Sequence, residues 1–297
     1  MLEHSELTRL PGLNTALYPP DGLEIKHGIR RNFARRVRSY DRHACMQRLM
    51  AQGLMAMARE ELDRARRILE IGCGTGYLTA LLRQTNREAR LTALDLDGSM
   101  LDAARRRLGA DEEVKWLMGD GEGPIHGEYD LIIANASFQW FTRPAATMVA
   151  YHRSLAPGGI LSFSTLGPET FQELAGALAQ AAASLKLPNP PQIPAQGFGD
   201  RERWADHLSQ AGFRHLKLAR ELVTTTCPSV REFLKALQAT GATNPQPARF
   251  SPRLLTTMIA AYQTRYGKDG AIPVSYEIIW AIAQKWGSVA TGEKNQL

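Results

Sequence analysis

Cysteine is scarce in this chain. Its 297 residues hold three, Cys45, Cys73 and Cys227, far apart and without CxxC or Cys/His spacing. Neither a disulfide framework nor a structural zinc site is implied, and Cys73 reads as a small buried thiol. Long apolar runs are missing too: nothing approaches the roughly 18–20 residues of a membrane span. The opening MLEHSELTRLPGLNTALYPPDG has neither the basic start nor the apolar stretch of a secretory signal, so the expectation is a cytoplasmic protein with a loose leader. Internal repeats and low-complexity tracts are absent, and the final GSVATGEKNQL is a polar tail. What is present is a 44% hydrophobic composition, suited to one large soluble domain with an appended subdomain.

Acidic residues are sparse in one stretch. Between Lys26 and Arg67 twelve Lys and Arg stand against four Asp and Glu, so this segment carries +8 of a net +6 and the remainder −2. Such a field attracts an acidic partner, whether a protein, a carboxylate substrate or nucleic acid; a solvated helix face is the plain alternative.

In RRNFARRVRSYDRHACMQRLMAQGLMAMA, residues Phe33, Val37, Tyr40 and Ala44, then Leu49, Leu54 and Met57, recur at steps of three to five. The spacing predicts a helical stripe with arginines on its other side. From Arg67 to about Thr165 short β-rich runs (RILEI, RLTALDL, VKWLMG, YDLIIAN, GGILSFST) alternate with helical stretches, which implies βαβ crossovers and a parallel sheet covered on both faces. GPETFQELAGALAQAAASLKL reads as a helix opened by a Pro- and Glu-rich first turn, and PNPPQIPAQGFGD as an irregular connector. A helix DRERWADHLSQAGF, a strand HLKLARELVTTT, two helices around SVREFLKALQATGAT and SPRLLTTMIAAYQTRYG, and a strand within AIPVSYEIIWAIAQKW follow. The extra helices exceed what a doubly wound sheet needs and are expected to cap the site. The expected divisions are a leader (1–28), an N-terminal helical segment (29–66), a ligand-binding core (67–166), cap helices with the end of the sheet (167–286), and the tail (287–297).

The first strand runs into Gly72-x-Gly74-x-Gly76, preceded by Glu70. A dinucleotide fingerprint GxGxxG would want its third glycine where Tyr77 stands, so the loop departs from that pattern. It suits S-adenosylmethionine, which has no phosphate but brings an amino-acid group and a sulfonium to lie against bare backbone, with Glu70 favouring the cationic portion. Asp95 ends the second strand nineteen positions after Gly76, where such sheets place an acid for ribose hydroxyls. Leu96 and Met100 would flank the adenine. Asp120, followed by Gly121, ends the third strand and would accept from the adenine amine. The fourth strand closes on Asn135, Ala136 and Ser137, where the transferable methyl should point. This ordered set, with the Pro-Gly-Gly turn before the fifth strand, resembles the class I S-adenosylmethionine-dependent methyltransferases over Arg67–Thr165. The resemblance implies a seven-stranded, mostly parallel Rossmann-like sheet.

It extends further. FARRVRSYDRHACMQRLMAQGL, NASFQWF, FSTLGPETFQEL, LKALQATGATN and IPVSYEIIW are similar to the malonyl-acyl-carrier-protein O-methyltransferases of biotin synthesis, from about Ile29 to Lys285. The Y-D-x-H-A-x-x-Q stretch (Tyr40–Gln47) and STLGPETFQEL are the narrow signals, while the long leader and the arginine-rich RRNFARR depart from the family. The resemblance implies methyl esterification of the free carboxylate of a malonyl thioester, disguising it as a fatty acyl primer, with S-adenosylmethionine as donor, no metal, a monomer, and an acyl carrier protein (or coenzyme A) bearing the malonyl group. A carboxylate of pKa near ~4 is already ionised at pH 7, so no general base is needed; catalysis reduces to alignment and desolvation.

For positioning, the expected residues are Tyr40, Gln139 and Trp140. Arg143 and one of Arg31, Arg35, Arg38 or Arg42 would hold a thioester carbonyl, a carboxylate or a phosphopantetheine phosphate. His43 and Gln47 read as groups that anchor a helix. The basic N-terminal segment would steer an acidic carrier. Alternatives are an O-methyltransferase of a free small acid such as trans-aconitate, and a non-catalytic S-adenosylmethionine-binding assembly factor. Nucleic acid is disfavoured as a partner, since no RNA-binding module or Asn-Pro-Pro-Tyr motif occurs, and no membrane association is expected.

Overall fold

The computed structural model describes residues 20–109, 111–189, 191–240 and 251–286. Among the described residues four helices precede the sheet: α1 (Pro20–Ala34), α2 (Val37–His43), α3 (Cys45–Met57) and α4 (Arg59–Arg64). Helix α1 starts inside the leader expected through residue 28. Ile25, Ile29 and Phe33 fall one turn apart and give it an apolar side, while residues 1–19 lie outside the described residues, as does the tail 287–297. The N-terminal stripe is also not one helix. It breaks around Arg36, at Ala44 and at Ala58, each of which leaves helical geometry between two segments.

The alternating region folds as β1 (Arg67–Ile71), α5 (Tyr77–Thr85), β2 (Arg90–Asp95), α6 (Gly98–Leu108), β3 (Val114–Met118), β4 (Tyr129–Asn135), a short 3-10 turn (Phe138–Trp140), α7 (Pro144–Ser154) and β5 (Leu155–Leu166). Beyond it come α8 (Gln172–Ser184), a second short turn (Pro194–Gly197), α9 (Arg201–Gln210), β6 (Phe213–Cys227), α10 (Val230–Ala239), α11 (Pro252–Tyr266) and β7 (Ile272–Lys285). Helix α8 begins later than the Pro/Glu-rich reading puts it. Glu277 on β7 takes the Glu169 amide at 2.7 Å through its carboxylate and the Gly167 amide through its carbonyl, so residues 167–171 form a turn bound to the sheet. Phe171 ends that turn with φ 61°.

The seven strands are ordered β3-β2-β1-β4-β5-β7-β6, and all neighbours are parallel except β7, which runs antiparallel to both β5 and β6. Because helices cover both faces, the central strands are apolar on both sides. In β4, Leu131 and Ile133 join the core beneath α3, α5 and α6, while Ile132 and Ala134 join the opposite core with Met148, Tyr151 and Leu208. Strand β7 divides likewise, Ile278, Trp280 and Ile282 against Ile279, Ala281 and Ala283. Trp280 reaches furthest: its Nε1 donates to the Met50 carbonyl at 3.0 Å and clamps α3 to the sheet.

Helices α8, α10 and α11 form a third apolar cluster with Leu178, Phe233, Met258 and Tyr262 at its centre. Ser229 and Ser251 cap α10 and α11 by accepting from Glu232 N and Leu254 N, worth about 1 kcal/mol each. No helix among the described residues is long and apolar enough to cross a membrane. The order of strands reverses between β1 and β4, and ligands of doubly wound sheets bind at the carboxyl ends beside such a point.

Candidate active site

A cavity of about 110 Å³ occupies that position. Its floor is Gly72, Gly74, Leu94 and Asp95; Leu96, Met100, Asp120 and Gly121 form one side, and Asn135, Ala136 and Ser137 another. The three loop glycines have different reasons to be glycine. A Cβ at Gly72 would overlap Ser137 Oγ, and one at Gly76 would come within 2.8 Å of Ala104 Cβ, whereas Gly74 (φ 54°) has nothing within 4 Å of that position. Gly74 therefore offers bare backbone to the cavity, while Gly76 admits α6 against the loop.

The expected site residues are not all brought together. Gly76 and Glu70 stand outside the cavity. Glu70 is buried behind the loop, and desolvation, aided by the charge of Asp95, pushes its carboxyl up to about 8. At neutral pH it is mostly protonated. Asp95 does face the cavity, and its two oxygens accept from Gly74 N at 2.8 Å and Asp97 N at 2.9 Å. Burial raises its pKa to about 6 against those backbone hydrogen bonds. Each oxygen keeps a second lone pair for a hydroxyl donor. Cys73 is buried, its thiol pushed well up by desolvation and by Asp95 and Glu70, which makes it unreactive.

Helix α1 crosses this cavity. Lys26 Nζ lies 3.1 Å from Asp120 Oδ1, 2.6 Å from Glu122 Oε2 and 5.2 Å from the centre of the Phe141 ring. Arg30 Nε stands 3.4 Å from Asp97 Oδ2. Glu122 in turn accepts from Thr142 N at 2.9 Å and Arg143 N at 2.5 Å, and Arg143 Nη2 donates back to the Glu122 carbonyl at 2.8 Å. Arg143 thus fastens the loop after β4 and does not line the acceptor side. Small-molecule sites commonly run to ~300–1,000 Å³; with α1 across it this one is tighter.

Beyond a shared wall of Phe33, Tyr40, Ala136 and Trp140 lies a chamber of about 730 Å³ between the N-terminal helices and the cap. Phe33 packs edge-on to both Tyr40 and Trp140, with centroids 6.1 and 6.0 Å apart. Ala136 adopts φ 52° where β4 ends, its amide donating to Ser164 O at 2.9 Å. Asp41 holds α2 in place by accepting from Thr75 Oγ1 and Arg107 Nη2, both at 2.6 Å, which sets Tyr40 over the glycine loop. Burial, with the charges of Asp95 and Asp41, pushes the Tyr40 hydroxyl far above its ordinary pKa. It stays a proton donor.

Two expected site residues, Gln139 for positioning and Asn135 at the cofactor's methyl end, are used internally. Gln139 Nε2 donates to Ala136 O at 2.8 Å while its Oε1 accepts from Thr165 Oγ1 at 3.1 Å. Asn135 bridges the Gln47 carbonyl, at 3.0 Å, and Ser164 Oγ, at 2.6 Å. Arg31 and Arg35 line the chamber and are exposed. Arg36, Arg38 and Arg42 are exposed outside it, and none of these five arginines forms an ion pair among the described residues. Sequence reasoning missed Lys26, Arg30 and Phe33. The signal for them was the Ile25–Ile29–Phe33 spacing, which carries the helix upstream of the arginine-rich run.

Residues 69–161 match a family described as a methyltransferase domain. The chain is 36% identical over 259 residues to the malonyl-acyl-carrier-protein O-methyltransferase of Anoxybacillus flavithermus, covering 86% of this chain and 96% of that protein. It is 31% identical to the protein of the same name from Halorhodospira halophila, covering 93% of each. Among solved structures, the YcgJ protein of Bacillus subtilis superposes with a TM-score of 0.54 at 14% identity, over 79% of this chain and 98% of that one; this likeness concerns the fold.

Proposed function

The chain belongs to the malonyl-acyl-carrier-protein O-methyltransferases, and from that membership we propose that it esterifies the free carboxylate of a malonyl thioester, the early step of biotin synthesis that the resemblance implies. It is an S-adenosylmethionine-dependent methyltransferase. The observation that carries the acceptor reading is the pairing of two cavities through one wall: a glycine-loop cavity ringed by Asp95 and Asp120, and a chamber with arginines at its rim.

S-adenosylmethionine supplies an electrophilic methyl group on a sulfonium. Gly74 would leave backbone bare for its amino-acid portion, Asp95 has lone pairs for the ribose hydroxyls, and Asp120 with Gly121 would meet the adenine edge beside Leu96 and Met100. Asn135 and Ala136 stand at the methyl end. The chain's own work on the acceptor is to desolvate and orient a nucleophile that is already ionised. No acid–base pair is required, and no metal is assigned. Tyr40 and Trp140, shared by both cavities, exclude water where the two reactants meet, and Gln139 fixes the Ala136 turn from behind. Arg31 and Arg35 hold the anionic parts of the acceptor at the rim; Arg36, Arg38 and Arg42 face an acidic carrier protein. The protein acts as a monomer in the cytoplasm.

The test is mass-spectrometric. The protein is incubated with S-adenosylmethionine and, separately, malonyl carrier protein, malonyl coenzyme A, acetyl coenzyme A and trans-aconitate. A mass gain of one methylene on the malonyl thioesters alone is expected. A product only on trans-aconitate, or none while S-adenosylmethionine still binds, overturns the reading in favour of a free-acid methyltransferase or an assembly factor.

A further inference from the structure

The Y-D-x-H-A-x-x-Q stretch holds a residue that the site has not yet used. Gln47 lies in the first turn of α3, after the break at Ala44, and lines the acceptor chamber together with Tyr40 and His43. The expectation that Gln47 anchors a helix fails. Its Oε1 is buried and has no hydrogen-bond partner. Only its backbone takes part in anchoring, the carbonyl accepting from Asn135 Nδ2 at 3.0 Å. That bond sets the start of α3 against the carboxyl end of β4, beside the wall the two cavities share.

A buried carboxamide oxygen left without a partner is destabilising, and the two other carboxamides at this end of β4 avoid the cost. Asn135 and Gln139 are engaged at both oxygen and nitrogen. Much of the remaining chamber wall is apolar, with Leu174, Phe233 and Met258 opposite, so nothing in the fold's own packing calls for an amide at position 47. A ligand group does. A carboxamide rotates about its last bond to present either its oxygen or its two N–H donors, and it carries no charge. Those properties suit a bound carboxylate that must be oriented but kept reactive: one N–H engages one oxygen and leaves the other free, whereas a buried guanidinium would hold both.

Resting on the function proposed above, we propose that Gln47 positions the acceptor carboxylate, donating from its carboxamide to the oxygen that does not attack. The Tyr40 hydroxyl, without a hydrogen-bond partner among the described residues, lies on the same wall and limits where the second oxygen can point.

The experiment compares wild type with Gln47→Met, which keeps the length of the side chain and removes its polarity, and with Gln47→Glu, which adds a like charge. Readouts are kcat and KM for malonyl coenzyme A, S-adenosylhomocysteine affinity, thermal melting, and the relative binding of malonyl coenzyme A and its methyl ester. Gln47→Met is expected to melt no lower than wild type, because the orphaned oxygen is gone, and to bind S-adenosylhomocysteine within about twofold; its kcat/KM should fall by roughly tenfold to a hundredfold. Gln47→Glu should weaken malonyl coenzyme A at least about tenfold more than the methyl ester, which has lost the negative charge. A Gln47→Met enzyme with kcat/KM within about twofold of wild type, or a Gln47→Glu enzyme that weakens acid and ester equally, overturns the proposal. If Gln47→Met melts well below wild type, Gln47 is structural and the proposal also fails. A wild-type enzyme that esterifies no malonyl thioester removes the function reading itself, an outcome distinct from failure of Gln47 alone.

Discussion

Lys26 and Asp120, ninety-four positions apart in the sequence, meet as a buried ion pair, Nζ to Oδ1 at 3.1 Å. Both side chains are nearly sealed from solvent, and Glu122 shares the same ammonium at 2.6 Å. One lysine therefore compensates two carboxylates and fastens α1 over the cavity.

Removing that lysine leaves two buried charges without their cation. Lys26→Met should cost about 3–5 kcal/mol, a fall in Tm of roughly 10 °C for a chain of this size, measured by thermal denaturation at pH 7. The double variant Lys26→Met/Asp120→Asn should recover part of the loss. A Lys26→Met protein as stable as wild type contradicts the burial of this triad.

Gly74 and Gly76 should separate binding from folding. Both have positive φ, so alanine costs about 1 kcal/mol at either, but only Gly76→Ala also drives a methyl into Ala104, 2.9 Å from its Cα. Gly76→Ala is expected to lower Tm by several degrees more than Gly74→Ala. Gly74→Ala should instead lose most of its affinity for S-adenosylhomocysteine in calorimetric titration, its methyl projecting into the cavity. Equal effects on both readouts would refute the division of roles.

Cofactor affinity should decline in mild acid. Asp95 has its pKa raised to about 6 by burial, and acceptance from ribose hydroxyls at both oxygens requires the ionised form. Affinity is then level above that pH and drops about tenfold per unit below it. The stability term has the opposite sense. A carboxyl whose folded pKa exceeds its unfolded value binds more protons when folded, so its contribution diminishes as pH rises from about 4 to about 6. Titrations of S-adenosylhomocysteine from pH 5 to pH 8 on wild type and Asp95→Asn check this. The variant should bind weakly at every pH and lose this part of the pH dependence.

Carrier recognition should respond to charge outside the chamber. Arg36 and Arg38 are exposed and do not line it, so Arg36→Glu/Arg38→Glu should raise KM for malonyl carrier protein about tenfold at low salt, and less at high salt. KM for malonyl coenzyme A should change little. Equal changes in both would place these arginines in contact with the acyl group or its thiol arm.

The sheet was legible because its information is local. Runs such as LIIA in β4 are apolar on both faces only when helices cover both, and the acids Asp95 and Asp120 lie at strand ends that the turn pattern already marks. Lys26 was illegible for the opposite reason: its partners are set by the third dimension, and no local period links position 26 to positions 120 and 122. Glu70, Gly76 and Arg143 were correctly seen as special but misread in direction. Residue type announces a constraint on backbone or charge; only packing decides whether it faces a ligand, a neighbouring helix or a loop. The broken N-terminal stripe belongs to this group too, because its segments pack on different partners, α2 on α6 and α10 but α3 on the sheet, and neither Arg36 nor Ala44 is a strong local breaker.

Strand β7 has a temporal meaning. It enters between β5 and β6 and brings Trp280 to Met50, 230 positions away, while Tyr276 joins the chamber wall. On the ribosome, everything through residue 271 emerges before the piece that locks α3 and completes that wall. A nascent chain carries an open edge at β5 and an unfinished acceptor chamber until β7 has emerged. Competence therefore waits for β7 and arrives with it, in one event.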